Sequence, residues 1–243
     1  MHFKHITQSQ HRSGAIKYCT TTHRLKDNTV VIDQYGVVVL WFLKNWIDKK
    51  VLEEMDAWVA SKPSFRKIAR RNMNNCRGLM ETISFGVWQR RGGSYSFHFT
   101  PTTKTDIGQE FLKKFECAWE QVAVAVEMVD EEYATTLRSV HKLPRSLGLF
   151  SFGVLNMQAP SKVHKDHRDF RLSYSIPFGD FTGGNIWFPY IGVEVEARTS
   201  DVVLFNSKSH YHAVTRVIGN RKSIALANHT STISAYQNCS TIY

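Results

Sequence analysis

No apolar run in this 243-residue chain approaches the ~20 residues that a membrane-spanning helix requires, and the opening Met1-His2-Phe3-Lys4-His5 lacks the apolar stretch of a secretion signal. A soluble, intracellular protein with no membrane partner is the expectation. Cysteine is sparse. Cys19, Cys76, Cys117 and Cys239 stand far apart with no paired spacing, which argues against a zinc knuckle or a disulfide framework and for reduced thiols. Acidic residues are missing where basic ones crowd. Residues 61–92 hold Glu81 alone against Lys62, Arg66, Lys67, Arg70, Arg71, Arg77, Arg90 and Arg91, and residues 1–30 hold Asp27 alone against Lys4, Arg12, Lys17, Arg24 and Lys26. The formal net charge of +10 is concentrated in these two segments. A basic face of this kind attracts a polyanion, of which nucleic acid is the commonest.

Hydrophobic residues make up 42% of the chain, with fifteen Phe, nine Tyr and six Trp to fill an interior. One well-buried domain is expected over the whole chain. Residues 1–30 read as a basic arm or cap, 31–145 as helical and strand support with a substrate-binding region, and 146–232 as a half built of strands and turns. Val30-Val31-Ile32 and Val37 to Phe42 suit two short strands around Gln34-Tyr35-Gly36. Ile47, Val51, Met55 and Trp58 or Val59 then recur at helical spacing until Ser61-Lys62-Pro63. One long helix is expected from about Asp106 to Val129, with Asp106 as N-cap and Gln109 as its partner, and a short one near 131–140. Beyond it, Leu172, Tyr174, Ile176 and Phe178 alternate with Arg171, Ser173 and Ser175, and turns fall at Gly179-Asp180, Gly183-Gly184 and Gly219-Asn220. Short strands with regular turns after helices imply an α+β fold, a jelly roll braced by N-terminal helices. Phe65, Trp88, Tyr95, Phe97 and Phe99 interleave with the arginines of 61–92. Such a mixture can stack bases and neutralise phosphates, and it is equally the pattern of a half-buried strand.

The chemistry-bearing residues lie in the second half. His164-Lys165-Asp166 puts a histidine and a carboxylate on one side of an extended chain, and a distant histidine completes a triangular face of three ligands. Two imidazoles and one carboxylate suit ferrous iron and leave positions open for a co-substrate and dioxygen. Two choices stay open on the residues alone: His167-Arg168-Asp169 repeats the triplet, and His210 shares a side with His212. Arg221 could grip a dicarboxylate co-substrate through a bidentate pair, with Ser223 on the same side.

The order of these motifs resembles the TET/JBP-type 2-oxoglutarate- and iron-dependent dioxygenases, particularly their compact fungal and algal branch, over about residues 70–230. The resemblance rests on His164-Lys165-Asp166, then Phe178-Gly179-Asp180-Phe181-Thr182-Gly183-Gly184-Asn185-Ile186-Trp187-Phe188-Pro189, then His212 and Gly219-Asn220-Arg221-Lys222-Ser223. Arg77-Gly78 looks like a pair that such proteins carry ahead of the catalytic half. It implies a double-stranded β-helix (jelly-roll) core, Fe(II), 2-oxoglutarate and dioxygen, and oxidation of the methyl group of a modified base in DNA, 5-methylcytosine foremost, as in DNA demethylation. By position, His164, Asp166 and His212 would ligate the iron in preference to Asp169 and His210. Arg221 would hold the distal carboxylate of 2-oxoglutarate with Ser223 assisting, and Asn156 would contact the co-substrate or substrate. Arg66, Lys67, Arg70, Arg71, Arg77, Arg90 and Arg91 are the candidate DNA contacts, from charge. DNA as substrate implies a nuclear protein in a eukaryote. No cysteine-rich zinc module accompanies the domain, and no protein partner is implied. The same iron and co-substrate residues would serve a hydroxylase of a protein side chain or small molecule.

Overall fold

A computed structural model describes residues 4–8, 23–68, 70–74, 78–89, 97–157 and 160–238. Its early strands are β1 (Lys4–Gln8), β2 (His23–Leu25), β3 (Thr29–Asp33), β4 (Val38–Leu43), β5 (Arg70–Asn74), β6 (Gly78–Gln89) and β7 (Phe97–Phe99). The later ones are β8 (Phe152–Met157), β9 (Ser161–His164), β10 (Ser173–Phe178), β11 (Phe181–Gly183), β12 (Ile186–Phe188), β13 (Val193–Val195), β14 (Val202–Phe205), β15 (His212–Val214), β16 (Val217–Gly219) and β17 (Lys222–Ala227). Helices α1 (Lys49–Ser61), α2 (Pro63–Ile68), α3 (Asp106–Lys114), α4 (Glu116–Val129) and α5 (Glu131–Ser139) precede β8, and α6 (Thr230–Asn238) follows β17.

A ten-stranded sheet runs β1-β3-β4-β14-β10-β17-β8-β6-β5, with β7 on β6, and a five-stranded sheet runs β2-β13-β12-β15-β9. From β8 onward the chain passes repeatedly between them: β8 large, β9 small, β10 large, β12 and β13 small, β14 large, β15 small, β17 large. That alternation is the jelly roll expected from the strands and turns, the double-stranded β-helix that the resemblance implied. The ribbon β11-β16 closes one end.

The alternation in β10 decides where the site lies. Tyr174, Ile176 and Phe178 join the core between the large sheet and helices α1, α3, α4 and α5, as do Leu155 of β8 and Ile224 and Leu226 of β17. Successive side chains on a strand point to opposite faces, so Ser173, Ser175, Asn156 and Ser223 face the small sheet. A second apolar core of Leu40, Phe42, Val203, Phe205, Phe188 and Val195 fills the space between the sheets at the β3-β4 side. β14 is buried on both faces, Val202 and Leu204 in one core and Val203 and Phe205 in the other, which is why it reads as an unbroken apolar run. Towards β10, β17 and β8 the inter-sheet space stays open, with Asn156, Ser173, Ser175, Arg221 and Ser223 among the residues that line it.

Three expectations are corrected. The helix anticipated over Asp106–Val129 is broken at Phe115, whose φ of −106° and ψ of 23° separate α3 from α4. The break lets Phe111, Phe115 and Trp119 converge on one aromatic core with Trp58, with ring centroids 5.2 to 6.2 Å apart. The cap is Thr105 rather than Asp106: its hydroxyl accepts from the Gly108 N–H, while Gln109 donates to the Thr103 carbonyl. The arm expected over residues 1–30 contributes two strands, β1 parallel to β3 and β2 parallel to β13. Short polar segments of this kind gain their structure from a distant partner rather than from their own pattern.

Candidate metal centre and its cavity

β9 and β15 are antiparallel, and their register sets His164 opposite His212. Both residues are buried, and their rings lie 4.3 Å apart. Each ring is oriented from behind. His164 Nδ1 lies 2.8 Å from the Lys162 carbonyl and His212 Nδ1 3.1 Å from the His210 carbonyl. A carbonyl only accepts, so Nδ1 carries the proton in both rings and Nε2 presents its lone pair inward, the arrangement that a metal-ligating histidine needs. Asp166 joins them because its N–H donates to the Ser207 carbonyl, 3.0 Å away, on the turn between β14 and β15. Its carboxylate oxygens stand 4.0 Å from His164 Nε2 and 3.5 Å from His212 Nε2. The donor atoms of His164, Asp166 and His212 all fall within 4.8 Å of one another, the one such cluster among the described residues.

The three residues line a cavity of about 160 Å³ between the sheets. Engineered cavities of roughly 150 Å³ hold a molecule the size of benzene, so this space suits a small organic ligand. Asn156, Arg221 and Ser223 line it as well, with Asn156 paired across β8-β17 with Ser223. Arg221 is 2% exposed. Its Nη1 donates to Ser223 Oγ at 3.2 Å, and its Nε and Nη2 have no partner among the described residues. Burial, with Arg198 adding its like charge, lowers the guanidinium to about 10. A buried cation with two unanswered donors is costly, and an anionic ligand entering the cavity would answer it. The donor set therefore fits both groups that the sequence implied: a ferrous ion on the triad and a carboxylate on the arginine.

The second triplet proves different from the first. His167 is exposed in a turn, and His210 is half-buried and does not line the cavity. Asp169 does line it, 7% exposed, with its Oδ2 accepting from both Ser173 and Ser207 at 2.7 Å. Its Oδ1 stands 3.8 Å from His229 Nε2. His229 also lines the cavity, packs against Phe152 with centroids 4.7 Å apart and the rings tilted by 44°, and is held down to about 4 by burial and then by Arg168. Sequence reasoning passes over His229, although Arg221, Ser223, Ala225, Ala227 and His229 follow one another at a spacing of two and all line the cavity.

Of the candidate DNA contacts, Arg66 and Lys67 fall in α2 and Arg70 and Arg71 in β5, at the edge of the large sheet. Arg77, Arg90, Arg91 and Tyr95 lie outside the described residues. Trp88 is 40% exposed on β6.

No family model and no curated protein matches the sequence. Solved structures do. NgTET1, solved in complex with 5mC DNA, matches 96% of this chain and 84% of its own with a TM-score of 0.69 at 17% identity. The chain shares the fold of NgTET1. A Pseudomonas putida prolyl-4-hydroxylase also matches, at a TM-score of 0.48 and 13% identity over 78% of this chain and 92% of that one. So does a 2OG-Fe(II) oxygenase-family oxidoreductase from Burkholderia pseudomallei, at 0.49 and 13% over 79% and 85%. No helix among the described residues is long and apolar enough to cross a membrane.

Proposed function

We propose that the protein is a 2-oxoglutarate- and Fe(II)-dependent dioxygenase that oxidises the methyl group of a modified base in DNA, 5-methylcytosine foremost. The observation that carries the enzymatic reading is one cavity holding both the His164, Asp166 and His212 cluster and a buried arginine with unanswered donors. His164, Asp166 and His212 hold the iron through two imidazoles and a carboxylate, and Arg221 with Ser223 holds the distal carboxylate of 2-oxoglutarate. Iron so held supplies oxidative chemistry with dioxygen, with 2-oxoglutarate passing to succinate and carbon dioxide. The protein contributes binding, orientation and exclusion of water.

The base reading is supported by what else faces the cavity. A methyl group on a paired base cannot reach a metal between two sheets, so the base must leave the stack. A flipped cytosine offers an amine donor beside ring acceptors, and Asp169 and His229 offer a carboxylate acceptor beside an imidazole that is neutral at pH 7. That pair matches cytosine better than thymine, whose corresponding oxygen is an acceptor. The basic segment 61–92 would hold the backbone through Arg66, Lys67, Arg70, Arg71, Arg77, Arg90 and Arg91. NgTET1, whose fold the chain shares, was solved with 5mC DNA, and in a eukaryotic source the substrate would be nuclear. The test is succinate production and base analysis with a duplex carrying 5-methylcytosine, beside an unmodified duplex. Oxidised cytosine bears the proposal out. Iron- and 2-oxoglutarate-dependent turnover on a protein or small molecule, with none on DNA, would replace it with the hydroxylase reading.

A further inference from the structure

None of the stretch Gly179-Asp180-Phe181-Thr182-Gly183-Gly184 lines the cavity. The stretch lies against Arg221. β11 pairs with β16 so that Phe181 stands opposite Gly219, and the Gly184 N–H donates to the Arg216 carbonyl at 2.8 Å. This brings two features onto the arginine. The guanidinium lies over the Phe181 ring, 5.6 Å from its centroid, within the reach of a cation–π contact. A Cβ at Gly184 would stand 2.5 Å from Arg221 Cδ and 2.9 Å from its Nε, so any side chain there drives the arginine from its place. Arg198 also lies over the Phe181 ring, at 5.8 Å, but is spoken for by Glu196, the Asn185 side chain and the Gly183 carbonyl. It braces the 183–185 turn, whereas the Nε and Nη2 of Arg221 have no partner among the described residues.

We infer that Phe181 and Gly184 are positioning residues for Arg221: the ring supports the guanidinium, and the missing side chain gives its stem the room to reach the co-substrate carboxylate. The inference rests on the reading of Arg221 as the co-substrate anchor. A charged fork held between a ring and a bare backbone has few alternative rotamers, so its donors are set before the ligand arrives.

The experiment compares two 2-oxo acids on the iron-loaded protein under anaerobic conditions. 2-Oxoglutarate carries the distal carboxylate, and 2-oxopentanoate keeps the 2-oxo acid head and chain length but ends in a methyl group. Each is titrated through the visible absorption that the head develops on iron. In the parent, 2-oxoglutarate should bind at least about tenfold more tightly, as expected when a charged partner is engaged. Phe181→Leu, which keeps the apolar fill and removes the ring, should reduce that preference about fivefold or more, at or above the upper end of the range for an exposed cation–π contact. Gly184→Ala should abolish most of it. In both, the affinity for 2-oxopentanoate should stay within about twofold of the parent, and Phe181→Tyr should restore the preference. A folded Phe181→Leu protein with the parent's preference overturns the inference. Equal weakening of both acids also overturns it, since that marks a general structural role. Gly184 has φ +61°, so if Gly184→Ala fails to fold the Phe181 pair decides alone. A parent with no preference for 2-oxoglutarate removes the anchor reading itself, and this inference with it.

Discussion

His164 and His212 are bonded neighbours across a sheet, residue against residue in the β9-β15 register, with their ring centroids 4.3 Å apart. The pairing makes the placement of the two histidines a property of strand register, while Asp166 comes from the connector after β9. Asp166→Ala and His212→Ala should each abolish turnover and the anaerobic absorption band formed with Fe(II) and 2-oxoglutarate. His210→Ala should leave both, since that ring does not line the cavity. A folded Asp166→Ala protein with parental activity would show the ligand assignment to be wrong.

Arg221→Met should weaken 2-oxoglutarate far more than iron. Removing the charged partner of a buried carboxylate costs on the order of 2–5 kcal/mol, so the dissociation constant should rise at least tenfold. Isothermal titration of the iron-loaded protein measures it, and an unchanged constant would mean that the carboxylate is held elsewhere.

His229 makes stability sensitive to acid. Burial, then the Arg168 charge, holds its folded value to about 4, against about 6.5 in an unfolded chain. Between those values the unfolded chain binds a proton that the folded one refuses, so stability is lost as pH falls through the window. The full effect is ~3 kcal/mol, and His210 is lowered in the same direction. In urea unfolding, His229→Gln should therefore lose less stability between pH 7 and pH 4 than the parent. Parallel profiles for the two proteins would contradict this account.

Replacing Arg66, Lys67, Arg70 and Arg71 together by Ser should lower affinity for a 5-methylcytosine duplex and flatten its salt dependence, by about 0.9 in slope for every phosphate that is no longer neutralised. Decay of 2-oxoglutarate without DNA should continue at the parental rate. Unchanged binding with the parental slope would exclude this segment as the DNA face.

What the sequence disclosed was whatever a local pattern encodes. Tyr174, Ile176 and Phe178 against Ser173 and Ser175 state which face of β10 is dry, and the cavity lies on the other face. His164, Asp166, His212, Arg221 and Ser223 were legible because a motif order fixed them, and all five meet in one space. The illegible parts depend on distant partners. β1 and β2 are too short and polar to read as strands, and they are ordered by pairing with β3 and β13. The break at Phe115 answers to packing against Trp58 rather than to any helix-breaking residue. Asp169 has the look of a surface repeat of the first triplet, and only its bonds to Ser173 and Ser207, from two other segments, reveal it as a buried group of the cavity.

The placement of the two histidines on paired strands carries one more consequence. β9 is an outermost strand of the small sheet, and its pairing to β15 is interrupted by a register shift between His212 and Val214, so within that sheet it is held from one side only. An ion taken between His164 and His212 is then a clip across that edge, and its binding energy becomes resistance to local opening. Amide hydrogens of 161–166 and 212–214 should exchange more slowly when Fe(II) is added anaerobically, while those of β14, buried on both faces, should hardly respond. Iron would thus act as a fastener of the sheet as well as a reagent.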